Sequence, residues 1–170
     1  AEAALREALA EYLGARYGRA RKAAQKALAL AEGGPLLGAN AEFRTLARLL
    51  GAASMHRLQD RRGRDDALRE ALQPLPDGAA APPGERAVTE GAHLMAAEWA
   101  LEDRDPARAI EMLEALAPGA ARRTHALRLK LQAMRMDRRP LEAMRTARLL
   151  ANHQVFSPVV AQGLLRALAA

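Results

Sequence analysis

The chain has 170 residues, half of them apolar and 27% charged, with 26 basic against 20 acidic side chains and a net charge of +6. It has no cysteine, which excludes disulfides, thiol nucleophiles and cysteine-ligated metal clusters. Forty-two alanines against five aromatics (Tyr12, Tyr17, Phe43, Trp99 and Phe156) favour helix over sheet, and no apolar run approaches the ~20 residues that cross a bilayer.

Helical periodicity and Pro/Gly punctuation predict nine helices. The first runs from Glu2 to Leu13 and stops at Gly14. The second covers Tyr17 to Ala31 and stops at Gly33-Gly34. The third starts near Pro35 and reaches Leu58, interrupted in pattern by Gly38 and Gly51. The fourth covers Gly63 to Leu72, and Gln73 to Gly84 (QPLPDGAAAPPG) is a loop. The fifth runs from Glu85 to Leu101 and the sixth from Pro106 to Leu116, with proline at the first turn, where its missing N–H costs nothing. The seventh covers Ala121 to Met136 and the eighth Pro140 to Asn152. Ser157-Pro158 opens a ninth that reaches Ala169. The chain begins at Ala1 without an initiator methionine and already in helical pattern. A fragment or processed form of a longer protein is therefore expected.

Short connections make consecutive helices antiparallel hairpins, and the hairpins repeat. Asp103-Arg-Asp-Pro-Ala-Arg-Ala-Ile110 and Asp137-Arg-Arg-Pro-Leu-Glu-Ala-Met144 share D-R-x-P-x-x-A-[IM]. They lie 34 residues apart (103 to 137), which is the period of the tetratricopeptide repeat. In this reading Asp-Arg-x-Pro makes the turn, and a small residue early in the second helix (Ala109, Ala143) lets its partner approach. Leu113 and Leu116, then Ala147 and Leu150, continue that face. Tyr17-Gly-Arg-Ala20 with Ala24 and Ala27-Leu28 is a weaker copy, Ala20 being its small residue. Asp60 to Ala67, ending in Ala71-Leu72, is another, 43 residues before the next (60 to 103). The expected fold is all-α, a right-handed superhelix of four tetratricopeptide-like hairpins (2–32, 35–73, 85–117 and 121–152) in a single domain, with a terminal helix at 157–169.

Two stretches carry a resemblance. EALAEYLGARYGRARKAAQKALAL (Glu7 to Leu30) and HALRLKLQAMRMDRRPLEAMRTARLLANHQVFSPVVAQGLLRALA (His125 to Ala169) resemble the tetratricopeptide region of HemY proteins. Arg57-Leu-Gln-Asp-Arg-Arg62 resembles the end of that family's second helix pair, while Asn40 to Leu50 and Gln73 to Arg86 match least. The resemblance implies a role beside haem (porphyrin) biosynthesis at the bacterial inner membrane, with pathway enzymes as protein partners. It also implies membrane attachment in the parent protein through segments outside this chain, the present segment being soluble. The family contributes no catalytic residues.

The residues themselves carry no enzyme signature: no nucleophile elbow, no phosphate-binding glycine loop, no dinucleotide fingerprint. His56, His93, His125 and His153 include no pair at i,i+4, so no metal site is expected, and no haem motif supports a cofactor. His93 and His125 occupy neighbouring places in successive first helices and keep a haem or porphyrin carrier open as an alternative, beside a generic adaptor unrelated to haem. The carboxylates Asp65 and Asp66 support a helix start through the dipole.

Charge is uneven. Between Ala121 and Arg148 nine basic residues stand against two acids, a segment charge of +7. If first helices line a groove, Leu94, Glu98, Leu101 and Glu102 of the third pair and His125, Arg128, Gln132 and Arg135 of the fourth face it. Such a groove fits an acidic protein segment through charge-assisted Arg–carboxylate bonds. An anionic membrane surface is a second expected partner. No aromatic interleaves with the arginines, so nucleic acid is not expected.

Overall fold

The computed structural model describes residues 1–32, 41–73, 83–153 and 158–169. Among these residues the secondary structure is ten α-helices and no strand: α1 (Glu2–Leu13), α2 (Tyr17–Glu32), α3 (Ala41–Arg57), α4 (Arg61–Ala71), α5 (Pro83–Glu102), α6 (Pro106–Glu114), α7 (Pro118–Ala121), α8 (Thr124–Met136), α9 (Pro140–Asn152) and α10 (Pro158–Ala169). The expected start of the third helix near Pro35, most of the Gln73 to Gly84 loop, and the Ser157 cap lie outside the described residues. The chain forms two compact units, Ala1–Ala92 and His93–Ala170.

Ten helices replace the nine expected because a short helix, α7, forms in the expected connection after Leu116, and the expected seventh helix starts at Thr124 and not at Ala121. Pro118 occupies the first turn of α7, and Arg123 then adopts extended backbone (φ −68°, ψ 147°) before α8 starts at Thr124. One extended residue breaks the i→i−4 ladder, so α8 starts three residues later than the periodic pattern of the sequence.

Four helix–helix turns share one construction. Ala15, Gln59, Arg104 and Arg138 all take positive φ, between 55° and 62°. In each turn this left-handed residue donates its N–H to the carbonyl three residues back, as Arg104 does to Leu101 and Arg138 to Arg135. The next residue donates to the carbonyl five back, as Asp105 does to Ala100 and Arg139 to Met134. This paired cap satisfies carbonyls that the helix end would otherwise leave open. The residue after the left-handed one is also the N-cap of the following helix. Asp60 accepts from Gly63 N–H and Asp105 from Arg108 N–H, both at 3.0 Å. One three-residue turn thus ends one helix and starts the next, which fixes the two antiparallel.

Counting from the left-handed residue aligns the hairpins. Positions five, nine and twelve residues on are buried in all four: Ala20, Ala24, Ala27; Arg64, Leu68, Ala71; Ala109, Leu113, Leu116; Ala143, Ala147, Leu150. Ala20, Ala109 and Ala143 are fully buried at 0% exposure. The second hairpin departs from the sequence alignment by two places, because Asp60 corresponds to Asp105 and not to Asp103. Arg64, not Asp66, therefore stands at the small-residue position. Its guanidinium reaches His56 Nδ1 at 3.1 Å and Asp65 Oδ1 at 2.9 Å. The close approach moves one residue earlier, to Gly63, where an added Cβ would stand 2.6 Å from Met55 Sδ. The turns fall 44, 45 and 34 residues apart (15 to 59, 59 to 104, 104 to 138). Only the last interval has the period read from the sequence. The others include the connections across 33–40 and 74–82.

The cores differ between units. In the first, α1, α2 and α3 meet through alanines: Ala4 with Ala27 and Ala47, and Ala8 with Ala23 and Ala24. In the second, leucines and Met134 dominate, with Leu164, Leu165 and Leu168 of α10 packed against the same core. Leu150 and Met134 are its largest fully buried side chains.

Candidate partner-binding groove

Helix α8 has a sharp division of faces. Ala126, Leu127, Leu129, Leu131, Ala133 and Met134 are buried, while Arg128, Gln132 and Arg135 are exposed. The exposed three are spaced i, i+4 and i+7, so they form one row along the helix, with Arg128 and Arg135 about 10 Å apart along the axis at ~1.5 Å per residue. The turn residue Arg104 brings a third guanidinium to this row. Together with Leu131 and Met136 these four polar side chains line a groove of about 540 Å³. The result is a surface with cationic walls and an apolar floor.

The arginines are available. Arg104, Arg128 and Arg135 have no ion-pair partner among the described residues. Arg139, in the turn after α8, is engaged instead. It holds Asp137 Oδ2 at 2.6 Å and lies 3.7 Å from Glu142. That hydrogen bond, and then the charge of Asp137, raise the Arg139 pKa above its ordinary value. A carboxylate placed among the groove arginines would therefore find donors that no internal acid already occupies.

The sequence-derived set divides on this geometry. Arg128, Gln132 and Arg135 come together in the groove. His125 is exposed on the same helix, and its Nε2 lies 3.0 Å from Glu98 Oε1, which ties α8 to α5 and places a carboxylate on the α5 side. Glu102 is exposed. Leu94 is half-buried and packs against the core. Leu101 is a correction: at 4% exposure it belongs to the core with Ile110 and Leu113 and lines no open surface. It stands three residues before the left-handed Arg104, the same place as Arg135 before Arg138. An apolar side chain there folds inward and a guanidinium turns out.

Arg104, Leu131 and Met136 were not in the expected set. Arg104 had a signal, since arginine occupies the second place of both D-R-x-P turns. Reading it required knowing that this place carries the left-handed backbone. Leu131 and Met136 follow from α8 once its outward row is known.

A second, smaller pocket of about 110 Å³ lies among α6, α7 and α8, with an apolar lining of Ile110, Leu113 and Leu116 and with Glu114 and Lys130 at its edge. Among the described residues no group of three His, Asp or Glu could hold a metal ion. Nor, among them, is any helix long and apolar enough to cross a membrane. Comparison with known proteins returns no matching family, no matching curated protein and no matching solved structure.

Proposed function

We propose that this chain is a non-catalytic interaction module of tetratricopeptide-like hairpins, whose groove on α8 takes an acidic segment of a protein partner. The observation that carries the reading is the row Arg128–Gln132–Arg135 with Arg104 beside it, three arginines without internal partners among the described residues, over an apolar floor. An extended polyproline-II segment suits the row. Its residues i and i+3 face one side about 9 Å apart, close to the Arg128 to Arg135 spacing. Exposed ion pairs contribute about 0.2–1 kcal/mol each, so the module binds weakly and reversibly, and affinity falls as salt rises.

The resemblance to HemY proteins supports the biological setting of this reading: attachment of the parent protein to a bacterial inner membrane and a partner among haem-biosynthesis enzymes. The shared turn construction and the common buried positions of four hairpins support the tetratricopeptide-like part. The direct test is fluorescence anisotropy with a labelled hexaglutamate peptide. Binding is expected for the native chain and loss for the Arg128→Glu/Arg135→Glu double variant, with helical circular dichroism unchanged. Equal binding by both proteins would refute the groove.

A further inference from the structure

The groove is built from one turn and the first helix of the hairpin that follows, and this pairing occurs once more in the second unit. Arg138 holds the same place in its turn as Arg104, with φ 55° against 62°. Helix α10 corresponds to α8 at an interval of 34 residues (Leu131 to Leu165, Met134 to Leu168), and all four of these side chains pack on one core. The same operation carries Arg128 to Gln162 and Gln132 to Arg166, and all four are exposed. Contacts between elements agree: α8 packs on α6 as α10 packs on α9. Arg138 and Arg166 have no ion-pair partner among the described residues.

We infer that Arg138, Gln162 and Arg166 form a second anion-binding step, so that the ligand is a long acidic polypeptide segment running from the Arg104/Arg128/Arg135 groove onto α10. This rests on the proposed groove and adds the length and direction of its ligand. Charge sets the direction. On the α5 side the segment meets Glu98, held beside His125 at 3.0 Å, which repels it. On the α10 side it meets the guanidiniums of Arg138 and Arg166. Gln162 and Gln132 each supply an amide that both donates and accepts, matching the C=O and N–H groups of an extended chain, whereas a string of phosphates only accepts, so a polypeptide fits better.

The test compares a labelled hexaglutamate, a labelled dodecaglutamate and a 12-nucleotide oligothymidylate on the full chain at fixed ionic strength. At ~3.1 Å per residue the shorter peptide is about 19 Å long and the longer about 37 Å. Dodecaglutamate is expected to bind about tenfold more tightly than hexaglutamate. The Arg138→Glu/Arg166→Glu variant removes that gain and leaves hexaglutamate affinity unchanged. Arg145→Glu/Arg148→Glu, at two exposed arginines of α9, preserves the gain and makes the same change in net charge. The inference is overturned if the longer peptide has no advantage, if the advantage survives in Arg138→Glu/Arg166→Glu, or if Arg145→Glu/Arg148→Glu abolishes it equally. Oligothymidylate binding as tight as that of dodecaglutamate would overturn the assignment to a polypeptide. Failure of the groove itself has a different signature, namely hexaglutamate binding that is absent or indifferent to Arg128→Glu/Arg135→Glu.

Discussion

Gln59 isolates the backbone contribution of the turns. Its φ is 62° and its side chain is exposed, so a substitution alters conformational preference and little packing. A side chain in left-handed backbone costs about 1–2 kcal/mol that glycine avoids. Glycine also frees the unfolded chain, which takes back about 0.4–1 kcal/mol. The balance makes Gln59→Gly stabilising by roughly 0.5–1 kcal/mol. A β-branched residue fits this region worse than glutamine, so Gln59→Val is destabilising by about 1 kcal/mol or more. Urea unfolding followed by helical circular dichroism measures both. With a slope of about 1–3 kcal/mol per molar, the two variants separate by roughly 0.5–2 M in midpoint. The order expected is Gly above Gln above Val. A valine variant as stable as the glycine variant would refute the idea that the left-handed residue sets the turn's cost.

Leu150→Ala removes a side chain with no exposure from the second unit and is expected to cost about 2–5 kcal/mol in urea unfolding, enough to melt that unit at moderate temperature. Gly63→Ala puts a Cβ 2.6 Å from Met55 Sδ and Asp60 Oδ2, and a loss of about 1–3 kcal/mol is expected despite alanine's better helix propensity. Asp105→Ala deletes an N-cap and costs about 1 kcal/mol. Asp60→Ala should cost somewhat more by the same measurement, since Asp60 also lies 3.5 Å from Arg21.

The helices were legible because alanine content, proline at first turns and glycine stops act locally. Pro106 and Pro140 mark the starts of α6 and α9 as the sequence indicates. The short helix α7 was not legible, because Pro118-Gly119 reads as a connection and only the extended backbone at Arg123 shows where α8 starts. The second hairpin was misaligned for a related reason. Asp60 resembles Asp103 as a letter, but Gln59 adopts the left-handed backbone and makes Asp60 a cap like Asp105. Within the groove, Arg128, Gln132 and Arg135 could be read from spacing alone, since one helix presents them. Leu101 could not, because its burial depends on Ile110 and Leu113 across the hairpin. Arg104 escaped because its role comes from φ, which composition does not encode.

Arg64 carries a consequence for how such a chain can be copied or rebuilt. Hairpins closed by Ala20, Ala109 and Ala143 are interchangeable parts at that joint, since a methyl group accepts many neighbours. The second hairpin is keyed. Its joint works only with Gly63 before Arg64 and with His56 on the facing helix to receive the guanidinium. A duplication of the third or fourth hairpin can therefore be inserted beside another of its kind without redesign, whereas the second travels only as a complete α3–α4 pair. An averaged repeat drawn from all four would mix two incompatible locks, and a buildable one must leave the second out.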